Sequence, residues 1–236
     1  METTKEEVNA PGDYLSKSFL EELNYKLWST KGSRFNADKR LRTKGNASNV
    51  SLAIISAYLI IASLITVFDF KLGVNQEVIN FTIAGLSILV LVFTQFENAQ
   101  KYDLIAKTHH DSGLKISELY NRLRIFKTLV KDPADEEILE FAKGIAEEYQ
   151  VVLSNSGNHA TIDYQRFLMT NIEYMKRTNP DKVSTLNKNI IAIRYYWNVY
   201  GWYFLLIVLP PIIFIALMIF TGANQNSGVI MGFESF

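Results

Sequence analysis

The histidines and the clustered carboxylates are the side chains of this sequence that could do acid–base or metal chemistry. His109 and His110 are neighbours, so on a helix they point to different sides and do not share a metal ion. His159 follows a turn at 154–158, and a hydrogen-bonded turn histidine is favoured over a catalytic base because no nucleophile or acidic partner is evident. The acidic runs at 135–137 and 147–148 are typical of solvated helix faces rather than of a paired acid and base.

Sequence motifs for catalysis are missing from the chain. There is no cysteine, which excludes disulfides, thiol catalysis and thiolate metal sites. There is also no glycine-rich phosphate loop, no His-Glu-x-x-His and no Gly-x-Ser-x-Gly. The sequence therefore predicts neither an enzyme, nor a metal site, nor a bound cofactor.

A group of basic side chains could hold the phosphates of a ligand. Three of them recur at i, i+3 and i+7 on one helix face, another lies beside them, and a tyrosine is available to stack on a base. The ligand-binding candidates are Tyr120, Arg122, Arg124, Lys127, Lys131 and His159. A simpler explanation is favoured, in which these charges are ordinary cytoplasmic basic residues or face anionic lipid.

Three apolar runs must position any such site. They are Val50–Phe68, Val78–Phe96 and Val199–Phe220, and none contains Asp, Glu, Lys, Arg or His. Each has about the 20 residues that cross a hydrocarbon core of about 30 Å. The third run contains Pro210 and Pro211, and a crossing helix kinked there is favoured over a re-entrant segment because neighbouring helices can compensate for the lost hydrogen bonds.

The distribution of basic residues predicts the orientation of the chain. Lysine and arginine are dense at 31–49, the link between the first two runs contains only Lys71, and none follows Phe220. Because basic residues stay cytoplasmic, the N-terminus and the middle segment are expected in the cytoplasm and the C-terminus outside the bacterial inner membrane. The expected order is a cytoplasmic N-terminal helix (1–49), a two-span hairpin (50–96), a cytoplasmic helical regulatory domain (97–198), a third transmembrane helix (199–220) and an exterior tail (221–236).

Helical periodicity and turn residues divide the cytoplasmic part into four helices, and no strand is predicted. These are Asp13–Leu41, Glu97–Lys131 as an extension of the second span, a helix restarting at Asp132-Pro133, and Ile162–Arg177 ended by Asn179-Pro180. The predicted fold class is therefore an all-α integral membrane protein, with a transmembrane hairpin, a third C-terminal span and a cytoplasmic helical domain.

Each of the first two spans carries a stripe of small or weakly polar residues. The stripe of span 1 includes Ala53, Ser56 and Ser63. Close packing inside the hairpin is the favoured explanation, and a water path formed by several copies is the other. In the second case span 2 is the pore helix, a ring of carboxylates at its end would favour cations, and the pore-lining candidates are Asn80, Ala84, Ser87, Leu91, Thr94 and Glu97.

Several segments, taken in order, resemble the SLATT family (SMODS- and SLOG-associating two-transmembrane effector domains). A basic N-terminal helix with Trp28 leads into a close hairpin of two spans. A long helix with His109 and His110 follows, with ISELYNRL at 116–123 and then EEYQVVLSNSGNHATIDYQRF at 147–167. The resemblance covers about residues 14–200, and the third span departs from a two-span pattern.

This resemblance implies an effector of bacterial anti-phage immunity that damages the inner membrane of an infected cell. The expected function is a homo-oligomeric pore, with four copies as the working number, that disrupts ion gradients and arrests or kills the cell. Its expected ligand is a nucleotide or short oligonucleotide made by a neighbouring nucleotidyltransferase, and its other partner is membrane lipid. One alternative is a non-conducting scaffold or anchor that recruits a partner through its cytoplasmic helices. The other is a membrane enzyme acting on lipid, which lacks a catalytic constellation.

Overall fold

The computed structural model describes residues 18–68, 76–178 and 188–231. Helices fill these ranges and no strand occurs in them, as the sequence predicts. Three helical stretches are long and apolar enough to cross a membrane: Phe19–Val67, Gln76–Leu129 and Lys188–Ala216. Their outer faces expose large apolar side chains, among them Ile60, Phe81 and Ile88. Contiguous apolar surface of this kind suits lipid rather than water. The predicted all-helical fold with three helices able to cross a membrane is therefore confirmed.

The chain divides into two compact units. The core unit contains the residues up to Arg40 together with Leu104–Ala192. The span unit contains Leu41–Asp103 and Ile193–Phe236. The domain boundaries expected from the sequence, at 49, 97 and 198, all fall inside the span unit. The predicted link residues 69–75 and the Asn179-Pro180 stop lie outside the described residues.

The core unit is built on three helices that share one apolar core. Helix α1 (Phe19–Val67) begins here, and α3 (Tyr102–Leu129) and α4 (Asp135–Ser154) pack against its first part. The buried side chains recur at steps of three and four, which places them on one face of each helix; they are Leu23, Leu27, Ile116, Leu119, Leu123 and Ile145. Each such side chain contributes about 1.5–3 kcal/mol on burial.

Two short helices cover the other side of α1. They are α5 (Thr161–Thr170) and α6 (Ile172–Thr178), whereas the sequence predicts one helix over this region. The break occurs because the Asn171 amide donates to the Phe167 carbonyl at 2.9 Å and closes the end of α5. The Trp28 ring packs edge-on against Phe167, with 4.5 Å between ring centroids. Phe167 lies so close to Gly32 that a Cβ at position 32 would collide with its ring, so glycine is required there.

Two helix starts differ from their predicted positions. Helix α2 (Gln76–Ala99) ends before Lys101, which has a left-handed backbone with φ 49°, so α3 is a separate helix instead of an unbroken extension of the second span. Asp132 also has positive φ, 46°, and the N-cap of α4 is Ala134. Pro133 therefore precedes the cap, although three acidic residues occupy the first turn of α4 as predicted.

The C-terminal helix continues through its prolines. Helix α7 (Lys188–Tyr196) leads into a π-helical turn (Trp197–Gly201) and then into α8 (Trp202–Met231). Pro210 and Pro211 lie inside α8, which continues beyond both, as a crossing helix requires. At 30 residues, α8 is about 45 Å long, more than a hydrocarbon core of about 30 Å.

Candidate functional site

The pore-lining candidates lie along α2 and most of them are exposed. Asn80, Ala84, Ser87 and Leu91 are exposed, and Thr94 is half-buried. The Ser87 hydroxyl donates to the Ile83 carbonyl at 2.8 Å, and the Thr94 hydroxyl donates within the helix in the same way. Packing within one hairpin therefore does not account for the stripe on α2, and its face is open to lipid, water or a second copy.

Glu97, the last pore-lining candidate, is buried in the span unit with 7% of its surface exposed. Its carboxylate accepts a hydrogen bond from the Tyr203 hydroxyl of α8 at 2.7 Å. The Tyr203 hydroxyl is also 3.5 Å from that of Tyr102, the first residue of α3. On α1, the Lys44 ammonium lies 5.5 Å from the Tyr102 ring centroid. We call this meeting of four helices the Glu97 junction; the tyrosine hydroxyls that surround the carboxylate are neutral groups.

The ligand-binding candidates on α3 do not form one free basic face. The Arg122 guanidinium donates to both carboxylate oxygens of Glu148, at 2.9 and 2.7 Å, and this bond raises the pKa of Arg122. The Tyr120 ring carries the Lys31 ammonium at 4.2 Å from its centroid. Burial lowers the pKa of Lys31, and the charge of Arg124 lowers it further. Of the remaining candidates, Lys127 is exposed on α3, whereas Lys131 is exposed beyond the end of α3 and does not continue the predicted helix face.

His159, the sixth ligand-binding candidate, belongs to a different group of the core unit. We call this group the Arg34 cluster; its members are Arg34, Arg40, His109, His159 and Asp163. It joins α1, α3, α5 and the loop at 155–160 that precedes α5. The side chains of Arg34 and Asp163 are fully buried, and His109 is nearly so.

Asp163 fastens α5 to α1 through a buried ion pair. Arg40 donates from Nε and Nη2 to the two carboxylate oxygens, at 2.8 and 3.0 Å. The backbone N–H of Ala160 donates to Oδ2 at 3.1 Å, and the Asn36 amide donates to the Asp163 carbonyl at 3.1 Å. A forked pair with both oxygens engaged is the strong form of this interaction. The carboxylate is therefore committed to Arg40.

Arg34 is held by neutral acceptors instead. Its Nη1 lies 3.0 Å from Nδ1 of His109 and also donates to the Gly157 carbonyl of the loop. Because a guanidinium only donates, His109 accepts through Nδ1 and is neutral there. Burial lowers the pKa of His109 and the charge of Arg34 lowers it further, while Asp163 opposes the shift. Burial and then Arg34 lower the pKa of His159 in the same way.

Two buried polar atoms of the Arg34 cluster have no hydrogen-bond partner among the described residues. They are Nε of Arg34 and Nδ1 of His159. Orphaned polar atoms inside a protein are uncommon, and each costs free energy comparable to a lost hydrogen bond. Arg34 can thus donate a hydrogen bond that no described residue accepts, and the Nδ1 atom of His159 is open to a further partner among the described residues.

Sequence reasoning placed Arg34 among the membrane-adjacent basic residues and missed its burial. The signal was present, because Arg34 falls on the buried stripe of α1 between Leu27 and Leu41, with Ala37 on the same face. A charge inside an apolar stripe marks a buried polar contact. The prediction that His109 and His110 face different surroundings is confirmed, since His110 pairs with Asp38 at 3.1 Å.

A family model described as SMODS and SLOG-associating 2TM effector domain family 5 matches residues 16–217. The match includes the Arg34 cluster and the Glu97 junction and ends inside α8. The description counts two transmembrane segments, whereas the matched range reaches into the third apolar helix. No curated protein and no solved structure matches the chain.

Proposed function

The chain belongs to the SLATT family of membrane effectors, and from this membership we propose that it is a nucleotide-gated pore of the bacterial inner membrane. In this proposal, several copies assemble around a shared axis and open in phage-infected cells. The open pore disrupts ion gradients and arrests or kills the cell. The family is an effector family rather than an enzyme family, and its name ties it to SMODS and SLOG partners. A nucleotide or short oligonucleotide from a neighbouring nucleotidyltransferase is the proposed ligand.

The observation that carries the proposal is the exposed, uncharged stripe on α2. Its residues Asn80, Ala84 and Ser87 are exposed, where a bilayer alone would favour large apolar side chains. Several copies of this face around one axis would enclose a path lined by hydroxyl and amide groups. We take four copies as the number. The basic residues before α1 enters the membrane support a cytoplasmic N-terminus and middle segment.

Gating requires two arrangements of the helices with different affinities for the ligand. A ligand bound by the cytoplasmic helices shifts the population toward the arrangement it prefers. Moving the equilibrium from 1:99 to 99:1 takes about a 10⁴-fold difference in affinity, or about 5.5 kcal/mol. Such a shift would also rearrange the Glu97 junction, because the Tyr203 hydroxyl holds α8 to α2 there.

Flux from liposomes that contain the purified full chain tests the proposal. Ser87→Phe should reduce ion flux at least about tenfold, because it places a ring on the stripe. Leu89→Phe is the matched control: it adds a similar ring two residues away, on the opposite side of α2, where the side chain is also exposed. Flux should depend on the added nucleotide and should vanish in liposomes without protein.

The same variants separate the pore from a non-conducting scaffold. The exposed stripe would also serve helix packing between copies, which is the specific observation in favour of the scaffold. If wild-type liposomes stay tight with every nucleotide, and Ser87→Phe abolishes assembly in crosslinking, the scaffold is the better reading. If Ser87→Phe and Leu89→Phe conduct equally, α2 does not line the path.

A further inference from the structure

The Arg34 cluster has the charge and the free donors of an oxyanion site. We propose that it binds a phosphate group, with Arg34 and His159 as the direct donors and the loop at 155–160 as the cover. Phosphate could arrive as the free ion or as part of a nucleotide. Only the second source rests on the proposed function.

The first argument is the balance of charge. Two guanidinium groups, of Arg34 and Arg40, share the cluster with the single carboxylate of Asp163. Both oxygens of Asp163 are engaged by Arg40. No described carboxylate forms an ion pair with Arg34, although Arg34 has no exposed surface. An uncompensated buried charge is costly in free energy, and an anion beside Arg34 would remove that cost.

The second argument is the chemistry of the orphaned atoms. Nε of Arg34 is a donor with no acceptor, and Nδ1 of His159 is a ring nitrogen with no partner. A guanidinium presents its donors in a planar fork that fits a phosphate, and a histidine beside an anion readily takes the proton that makes it a second donor. A neutral ligand would supply acceptors but not the missing charge. A carboxylate would supply charge with fewer acceptor oxygens than a phosphate offers.

The third argument is access through the loop. Residues 157–160 have no regular structure, and Gly157 and Asn158 are exposed. A cavity of about 140 Å³ lies beside the loop; its lining includes Asp111, Ser112 and Ser156 and none of the five residues of the Arg34 cluster. Ser156 is next to Gly157, whose carbonyl accepts from Arg34. Release of that one carbonyl would free a further donor of Arg34 toward an entering anion.

Phosphate binding should carry a pH signature that surface binding lacks. His159 is faced by the charges of Arg34 and Asp163, and His109 is faced by these and by Arg40. In the free chain burial and Arg34 disfavour proton uptake by both histidines, and His159 and Arg40 add to this effect at His109, whereas a bound dianion favours proton uptake. Because the phosphate itself also takes up a proton in this range, with a second pKa of about 6, the expected signature is that the affinity of the wild type relative to that of His159→Gln rises as the pH falls from about 8 to about 6.

The experiment uses the full chain in detergent micelles and follows thermal stability and calorimetric binding. The probes are inorganic phosphate, a nucleoside monophosphate, a short oligonucleotide, and the nucleoside alone. His159→Gln should weaken phosphate binding about tenfold or more at about pH 6, and less at about pH 8, because a charge-assisted hydrogen bond is lost. Arg34→Lys should weaken it further. Lys107→Gln, which removes an exposed charge near His109 on α3, is the control and should bind as wild type does.

Each outcome decides the inference. Saturable binding of inorganic phosphate that depends on Arg34 and His159 supports a site for the free ion. If only the nucleoside monophosphate or the oligonucleotide binds in a way that depends on these two residues, the site takes the phosphate of a nucleotide. Wild-type affinity in both variants, or no binding of any phosphate, overturns the inference. If Arg34→Lys does not fold, as circular dichroism would reveal, His159→Gln alone carries the test. Binding without ion flux would contradict the proposed pore but leave the site intact. Nucleotide-dependent flux that is unchanged in His159→Gln would exclude the nucleotide as the source of the bound phosphate and leave the pore intact.

Discussion

Asp163→Asn is expected to loosen α5 from α1 by removing the countercharge of a buried pair. The carboxylate is fully buried and Arg40 is only 12% exposed, so water cannot replace the lost partner. Breaking a buried pair by removing one member typically costs about 3–5 kcal/mol. For a chain of this size, about 2–4 °C of Tm corresponds to each kcal/mol, so Tm in detergent should fall by about 6–20 °C.

Glu148→Gln is the matched control for this substitution. It makes the same chemical change in an ion pair with Arg122, where the side chains are 43% and 51% exposed. Exposed pairs contribute about 0–1 kcal/mol, so Tm should change by less than about 4 °C. Hydrogen exchange should accelerate in α5 for Asp163→Asn alone. Equal Tm shifts for the two variants would refute the claim that burial makes the Asp163 pair strong.

A second substitution at Arg40 distinguishes a lost attraction from an orphaned charge. In Asp163→Asn the largely buried guanidinium of Arg40 is left without its carboxylate. Adding Arg40→Met should recover part of the lost stability, since a neutral pair of similar volume avoids the buried charge. Strict additivity of the two single effects would show that the residues are not coupled.

Three further predictions concern packing, pH and the Glu97 junction. Gly32→Ala should destabilise the chain by about 1–3 kcal/mol, because the new Cβ would collide with an aromatic ring of α5. Gly144→Ala has open space around the new Cβ and should be neutral or stabilise by up to about 1 kcal/mol. Denaturant unfolding of the two variants compares these effects. The free energy of unfolding should fall as the pH drops below about 6.5, because burial and Arg34 lower the pKa of His109, so that the unfolded chain binds more protons than the folded chain. His109→Gln should make the free energy of unfolding depend less on pH. An unchanged slope against pH would contradict the assignment of this effect to His109. Tyr203→Phe should lower the free energy of unfolding by about 1–3 kcal/mol, because the buried Glu97 carboxylate loses the Tyr203 hydroxyl as a donor. Tyr200→Phe, at an exposed ring, is the control and should change it little. Thermal unfolding in detergent measures both.

The apolar helices were predictable from the sequence because their cause is local. A run of about 20 residues without a charge has few alternatives to a membrane helix, whatever the rest of the chain does. The start of α4 was nearly as clear, since Pro133 and three acidic residues mark a helix N-terminus within a few positions. Here composition alone outweighs tertiary effects.

The break at Lys101 and the Arg34 cluster were not predictable in the same way. Neither Gln100 nor Lys101 is a residue that favours a left-handed backbone, so no local signal marks the end of α2. The cluster needs side chains from α1, α3 and α5, which lie more than 120 residues apart at Arg40 and Asp163. The sequence identified His159 as a ligand-binding candidate, but it grouped His159 with basic residues that do not belong to the Arg34 cluster. Only tertiary contacts assign those partners.

The π-helical turn at Trp197–Gly201 sets the rotational phase of everything after it. One extra residue in a helical turn advances the downstream side chains by about 100°. Gly201 permits this wide turn because a Cβ there would lie only 2.7 Å from the Trp197 ring. Tyr203 follows two residues later, so the added residue decides that its hydroxyl, rather than the ring of Trp202 or Phe204, is presented to Glu97. Deleting a single residue from this turn would rotate α8 and turn a different face of it toward the Glu97 carboxylate, although neither Glu97 nor Tyr203 would itself be substituted.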